Sequence, residues 1–217
     1  MIGLFDSGSG GLNTVRYLKA SGLDRDLIYL IDRNNAPYGV KSEKEILKIT
    51  ENNLKTLTGM GAERVLIACC TASTVYGLLP EETKRTAIPI IDGVARRARE
   101  LTHTGRIGVI ATRHTVRSHA FARALADCEV TEIEAGGLVD LIDSGLCDAT
   151  ATNGDERMLC ELLEPILDGD IDTLVLGCTH FSSLYTVFER ISRPRGISSI
   201  ADSARIGADI LTELIGK

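Results

Sequence analysis

Two cysteines carry the strongest chemical signal in this chain of 217 residues. Cys69 closes the apolar run Val65-Leu66-Ile67-Ala68, and Cys178 closes Leu174-Val175-Leu176-Gly177. Both open onto small hydroxyl residues suited to a turn and a helix start: Thr71 and Ser73 after the first, Thr179 after the second. In open parallel sheets, ligands bind beyond the carboxyl ends of the strands, where helix N-termini aim N–H groups outward. A thiol placed there is expected to have a lowered pKa. From an ordinary value near ~8.5, modest tuning populates thiolate around neutrality. A single cysteine ending a buried strand is ordinarily a small core hydrophobe. Two of them at equivalent points of a repeated pattern suggest more. Thiols facing one carbon from opposite sides suit inversion of a stereocentre: one takes the α-proton, and the other returns a proton to the opposite face. Backbone N–H groups and hydroxyls would hold a carboxylate and stabilise the developing charge. Asp6, Ser7 and His180 are the neighbours able to orient the thiols or relay protons, although each type is also an ordinary cap or turn former.

Other chemistries find less support. Cys128, Cys147 and Cys160 have no comparable context and read as structural; Cys70 adjoins Cys69, but a bridge between chain neighbours is strained. No C-x-x-C pair occurs, so neither a zinc site nor a thioredoxin-like site is expected. The four histidines show no H-E-x-x-H spacing, which argues against a catalytic metal. No lysine ends a buried strand, where a pyridoxal-type aldimine would be expected. Gly8-x-Gly10 follows a strand and Asp32 ends the next one, an arrangement that invites a dinucleotide reading. However, Asn13 holds the third glycine position, Gly11 breaks the spacing, and no Gly-Lys-Ser/Thr marks a P-loop.

The elements that must position the thiols are legible from apolar runs. Ile2–Phe5, Leu27–Ile31, Val65–Ala68, Ile107–Ile110 and Leu174–Leu176 read as strands buried on both faces. Between them, Ser42–Thr58 carries helical spacing through Ile46, Ile49, Leu54 and Leu57. Alternation of strands and helices predicts an α/β fold with parallel sheets and right-handed crossovers. The pattern also repeats. Ile2-Gly3-Leu4-Phe5 returns as Ile107-Gly108-Val109-Ile110, each followed by a hydroxyl-rich turn (Asp6-Ser7-Gly8, then Thr112, Thr115 and Ser118). The stretch from Ile2 to Cys69 nearly matches that from Ile107 to Cys178, which predicts two related α/β units facing each other.

A formal net charge of -6 gives no support to a nucleic-acid role. The local basic clusters, Arg96, Arg97 and Arg99 and then Arg113, Arg117 and Arg123, read as solvated helix faces. The opening MIGLFDSGSGG lacks a basic segment leading into an apolar one, and no run has the length of a membrane span. Cytoplasmic residence with mostly reduced cysteines is the expectation.

IGLFDSGSGGL, YLIDRNNAPYGVKS, ACCTAS, IGVIATRHTVRS, DTLVLGCTH and a final ADS occur in this order. In this the chain resembles the glutamate racemase branch of the aspartate/glutamate racemase superfamily, over nearly its whole length. The aspartate racemase branch typically lacks the DSGxGG opening and has an acid where His180 stands. The resemblance implies two similar parallel-sheet α/β domains related by pseudo-two-fold symmetry, with the substrate between them and no cofactor. Residues 1–92 with 201–217 would form one domain and 93–200 the other. It implies that Cys69 takes the α-proton from D-glutamate and Cys178 from L-glutamate, assisted by Asp6 and His180. Ser7, Pro37, Tyr38, Gly39, Cys70, Thr71, Thr115 and Thr179 would line the substrate pocket, and Asp143 would stand as an auxiliary acid where the family usually has Glu. It further implies a homodimer supplying D-glutamate for bacterial peptidoglycan. Two departures bear on substrate choice. The family's A-C-N-T-A reads here with Cys70 for Asn, and a thiol cannot replace an amide's paired donor and acceptor. GCTHYP ends here as Phe181-Ser182. Racemisation of another small acidic amino acid such as aspartate is the alternative, as is an amino-acid-binding relative without turnover; retention of both thiols speaks against the latter.

Overall fold

The structure, a computed structural model, describes residues 1–20, 22, 27–167 and 169–216. Two parallel four-stranded sheets organise them. The first contains β1 (Ile2–Asp6), β2 (Leu27–Ile31), β3 (Arg64–Ile67) and β4 (Ala87–Pro89), in the order β2-β1-β3-β4. The second contains β5 (Arg106–Ala111), β6 (Glu129–Glu134), β7 (Thr173–Gly177) and β8 (Ser199–Asp202), in the order β6-β5-β7-β8. The two orders are the same topology used twice. The repeated Ile-Gly segments occupy the equivalent strands β1 and β5, and each cysteine follows the equivalent third strand, β3 or β7. The fold is α/β with two related halves, as the pattern predicts.

β1, β3, β5 and β7 form because their apolar runs can be buried from both sides, which parallel sheets covered by helices require. β2, expected to be buried on both faces, is instead a half-buried edge strand. Three further strands had weaker signals. β4 has only three residues, and β6 is a half-exposed edge whose sequence, EVTEIE, alternates charge with apolar residues. Charged residues suit such an edge, since they discourage pairing with a foreign strand. β8 ends in Asp202, whose side chain accepts from the Ala204 N–H and so caps the helix Ser203–Ile215. The helix predicted over 42–58 spans Glu43–Gly59, started by a Ser42–Glu45 capping box.

Each half has an outer core. In the first, Phe5, Val65 and Ile67 pack with Ile46, Leu54 and Leu57 of the Glu43–Gly59 helix. In the second, Ile110, Leu174 and Leu176 pack with Leu159, Leu163 and Ile166 of the helix Asn153–Leu167. A third core joins them: Leu4 and Leu66 from one sheet and Ile107, Val109 and Val175 from the other meet around the helices Ile90–Leu101 and Ser203–Ile215. The expected boundary after residue 200 falls inside β8, which pairs with β7 in the second sheet through Asp202. The helix beyond it packs against Gly11–Ala20 of the first half and against Ile90–Leu101.

The glycine repeated in β1 and β5 marks close approach. A Cβ on Gly108 would lie 2.5 Å from Ile166 and 2.6 Å from Ile171, whereas on Gly3 the nearest atoms are the Val65 and Ala62 side chains at 3.0 and 3.1 Å. Gly108→Ala is therefore expected to overpack the second half and destabilise the protein by ~1–3 kcal/mol, more than Gly3→Ala. Urea unfolding of the two variants against the parent checks this; an unchanged midpoint for Gly108→Ala contradicts it.

Candidate active site

The carboxyl ends of both sheets face one cleft of about 390 Å³. Cys69 and Cys178 both line it, one from the turn after β3 and the other from the turn after β7. Both thiols are nearly buried, with 6% and 8% of their surface exposed. The sites predicted far apart in sequence thus share a single cleft.

Cys69 occupies the N-cap of the short helix Cys70–Ser73, and its Sγ accepts from the Ala72 N–H at 3.4 Å. Ser7 Oγ lies 3.1 Å from the same sulfur. The expected lowering of the thiol pKa does not follow. Burial pushes Cys69 up to about 11, the nearby Asp6 adds to the rise, and the Ser7 and Ala72 hydrogen bonds only partly oppose it. Burial likewise raises Cys178, with the charges of Cys69, Asp6 and Asp143 pushing the same way. One short turn of helix cannot offset the loss of water around a thiolate. At rest both groups are thiols.

Cys178 has a different partner. His180 Nδ1 stands 3.6 Å from its sulfur, while Nε2 faces the Gly10 N–H at 3.2 Å and Ser9 Oγ at 3.2 Å. An N–H can point only at an unprotonated ring nitrogen, so the Gly10 contact selects the tautomer with hydrogen on Nδ1, aimed at Cys178. Asp143 Oδ1 lies 3.6 Å from Nε2 and accepts from Ser9 Oγ at 2.6 Å.

Asp6 stands behind the cleft wall and not on it. It is fully buried, and burial raises its pKa against the lowering effects of His180 and of the Gly8 and Thr179 hydrogen bonds. Its Oδ1 accepts from the Gly8 N–H at 2.9 Å, and its Oδ2 from Thr179 Oγ1 at 3.1 Å. Thr115 is also behind the wall. Its hydroxyl closes a triangle with Thr71 and Thr112 (3.3 and 3.0 Å, with 2.8 Å between those two), so it supports the lining hydroxyls from beneath. Ser7, Pro37, Tyr38, Gly39, Cys70, Thr71 and Thr179 all line the cleft as expected positions.

Asp32, the residue a dinucleotide reading would assign to a ribose, is otherwise engaged. It accepts from the Tyr38 hydroxyl at 2.7 Å, from Asn53 at 2.9 Å and from Asn35. Burial pushes its carboxyl up, but these donors outweigh burial and hold it below the usual range. The network fixes the Pro37-Tyr38-Gly39 wall.

Sequence reasoning missed several lining residues. Thr112 and Arg113 come from the turn after β5, Glu134 ends β6, and Asp140 lies on the helix Gly137–Asp143. Arg113, expected on a solvated face, sits at the rim 4.0 Å from Glu134. Thr112 had a usable signal, since it occupies in the second repeat the turn position that follows β5 as Ser7 follows β1. Among the described residues, no cluster of three or more His, Cys, Asp or Glu side chains has metal-binding geometry, and no helix is long and apolar enough to cross a membrane.

A family profile described as Asp/Glu/Hydantoin racemase matches residues 13–211. A glutamate racemase from Desulforudis audaxviator is 40% identical over 198 residues, covering 89% of this chain and 71% of that protein. Glutamate racemase isoform RacE1 from Bacillus anthracis superposes with a TM-score of 0.85 at 27% identity, over 100% of this chain and 81% of that one. The Francisella tularensis glutamate racemase, solved in complex with D-glutamate, gives 0.85 at 28% identity, over 99% and 80%.

A thiol that loses its proton at about 11 is only ~10⁻⁴ thiolate at pH 7. Alkylation of Cys69 by iodoacetamide, followed residue by residue in a mass spectrometer, is expected to rise about tenfold per pH unit from pH 7 to pH 10. A plateau already reached by pH 9 would contradict the burial argument.

Proposed function

The chain belongs to the Asp/Glu/hydantoin racemase family, and from that membership we propose that it interconverts L- and D-glutamate by a two-thiol acid/base mechanism without a cofactor. The observation that carries this reading is the meeting of Cys69 and Cys178 in one cleft, each with its own polar partner. An amino acid held with its α-carbon between the sulfurs presents one face to each. In one direction the Cys69 thiolate takes the α-hydrogen and the Cys178 thiol donates a proton to the opposite face; in the other the roles exchange. The substrate's carboxylate would lie against the hydroxyls and N–H groups at the two strand ends, where charge developing on the carbanion is stabilised.

The raised thiol pKa values fit this task. A thiolate generated in a dry site is a stronger base than one in water, and an α-hydrogen is a very weak acid. His180 beside Cys178 is the group that would receive that thiol's proton as substrate displaces water. Ser7 beside Cys69 would only orient or pass on a proton, with Asp6 the nearby carboxyl group able to accept it. Glutamate rather than aspartate is favoured by the 40% identity to a glutamate racemase and by the DSGxGG opening combined with His180. Supply of D-glutamate for peptidoglycan, a cytoplasmic location and a homodimeric state belong to the same proposal.

Purified protein is expected to racemise both enantiomers of glutamate without additives under reducing conditions, as followed by circular dichroism of the substrate. Flat traces from both would remove the activity. Cys69→Ala and Cys178→Ala should each lower turnover by at least ~10³-fold; wild-type turnover in either would refute the paired-thiol assignment. Cys70 is a separate matter. Its thiol is buried on the cleft wall, and a thiol holds a carboxylate poorly. Cys70→Asn is expected to leave kcat intact and KM equal or lower, so a large loss of kcat would show that the pocket depends on the extra thiol.

A further inference from the structure

Ser9 bridges two groups that stand at ion-pair distance without a direct hydrogen bond between them. His180 Nε2 and Asp143 Oδ1 are 3.6 Å apart, beyond a good hydrogen bond, and Ser9 Oγ lies 3.2 Å from the first and 2.6 Å from the second. The three residues come from three elements: the turn after β1, the helix Gly137–Asp143 and the turn after β7. We propose that Ser9 is a positioning residue that couples Asp143 to His180 and thereby steadies His180 in its doubly protonated form beside a Cys178 thiolate. The inference rests on the paired-thiol reading of the cleft.

In the neutral pair, Cys178 keeps its S–H and His180 carries one proton. In the ionic pair, the thiol's proton has passed to the ring, so that both ring nitrogens hold hydrogen. Nδ1–H faces the sulfur, Nε2–H donates to Ser9 Oγ, and the Ser9 hydroxyl donates to the Asp143 carboxylate. One hydroxyl serves both ends because it accepts with a lone pair and donates its single hydrogen. The Gly10 N–H opposes this state, since it faces Nε2 only when that nitrogen is bare. Two carboxyl groups face the ring from other elements: Asp6 of β1, fully buried, and Asp143, half-exposed. Without Ser9, Asp143 would act on the imidazolium through charge alone across 3.6 Å, with the hydrogen-bonded link gone. Cys69 has no part in this chain, its sulfur being bonded to Ser7 and the Ala72 N–H.

That separation supplies the test. Alkylation by iodoacetamide at pH 7, quantified at each cysteine in the same sample, reads thiolate character without substrate and so is independent of whether glutamate is turned over. In Ser9→Ala and in Asp143→Asn, the rate at Cys178 is expected to fall about tenfold while that at Cys69 is unchanged, and Ser9→Thr should restore the Cys178 rate. An unchanged Cys178 rate in Ser9→Ala overturns the proposal. So does an equal fall at both cysteines, which would mean that Ser9 only holds the fold.

Discussion

A carboxyl group with no exposed surface, that of Asp6, is the constraint around which the site is organised. Burial of such a group costs free energy unless hydrogen-bond donors meet it. Its donors come from both halves: the Gly8 N–H from its own turn, and the Thr179 hydroxyl from the turn that follows β7 in the other sheet. The same seam carries the Asn13 side-chain amide to the Thr179 carbonyl at 2.9 Å and the Gly10 N–H to His180. Gly10 has to be glycine here, because a Cβ would fall 2.4 Å from Thr179 Oγ1 and 2.6 Å from the His180 ring. These bonds tie the turn after β1, whose Ser7 touches the Cys69 sulfur, to the turn that carries Cys178. Satisfying one buried acid therefore also joins two of the turns that border the cleft.

The same dryness governs the thiols. Nearby hydrogen bonds from Ser7 and Ala72 favour a charged sulfur at Cys69, yet burial and the charge of Asp6 prevail and push the pKa to about 11. For a binding site this would serve no purpose. For a proton-transfer site it means that each sulfur waits as a thiol and becomes a strong base only when its proton has somewhere to go. His180 and the Ser9–Asp143 pair offer such a place on the Cys178 side, whereas a lone hydroxyl, Ser7, stands beside Cys69.

Much of the fold was legible because it is written in continuous apolar runs. β1, β3, β5 and β7 are interior strands packed between neighbours, so their sequences are dominated by apolar and small residues. The edge strand β2 was legible because Leu27–Ile31 is an unbroken apolar run, although it is only half-buried. β4, β6 and β8 are edge strands too, but they are short, charged or polar at their ends, which edges tolerate, so no apolar run revealed them. The duplicated Ile-Gly pattern carried the longest inference, since it placed Cys69 and Cys178 at matching strands before any contact was known. What it could not carry was the setting of each thiol. Helix position alone suggested an acidic thiol, and only the packing around Cys69 shows that desolvation is larger. The roles of Asp32 and Thr115 were hidden for a similar reason: each acts one layer behind the wall, through Tyr38 and through Thr71 and Thr112, and such a layer leaves no spacing in the sequence.

Duplication explains the likeness of the halves, and the chemistry proposed for them explains their differences. A symmetric pair of sites would offer a substrate the same environment on both faces, but a chiral amino acid cannot present the same arrangement of groups to both. Its α-hydrogen points to one sulfur while the carboxylate, ammonium and side chain spread around the plane between the sulfurs, in clockwise order seen from one and anticlockwise from the other. The two strand-end turns differ accordingly. After β3 the chain turns at once into the helix Cys70–Ser73, keeping the Cys69 sulfur close to backbone N–H groups. After β7 it runs through extended backbone at Cys178 into the turn Thr179–Leu184, which brings the His180 ring back against the sulfur. Equivalent strands thus deliver equivalent atoms, and unequal turns give the two sulfurs different partners, as the proposed chemistry would need.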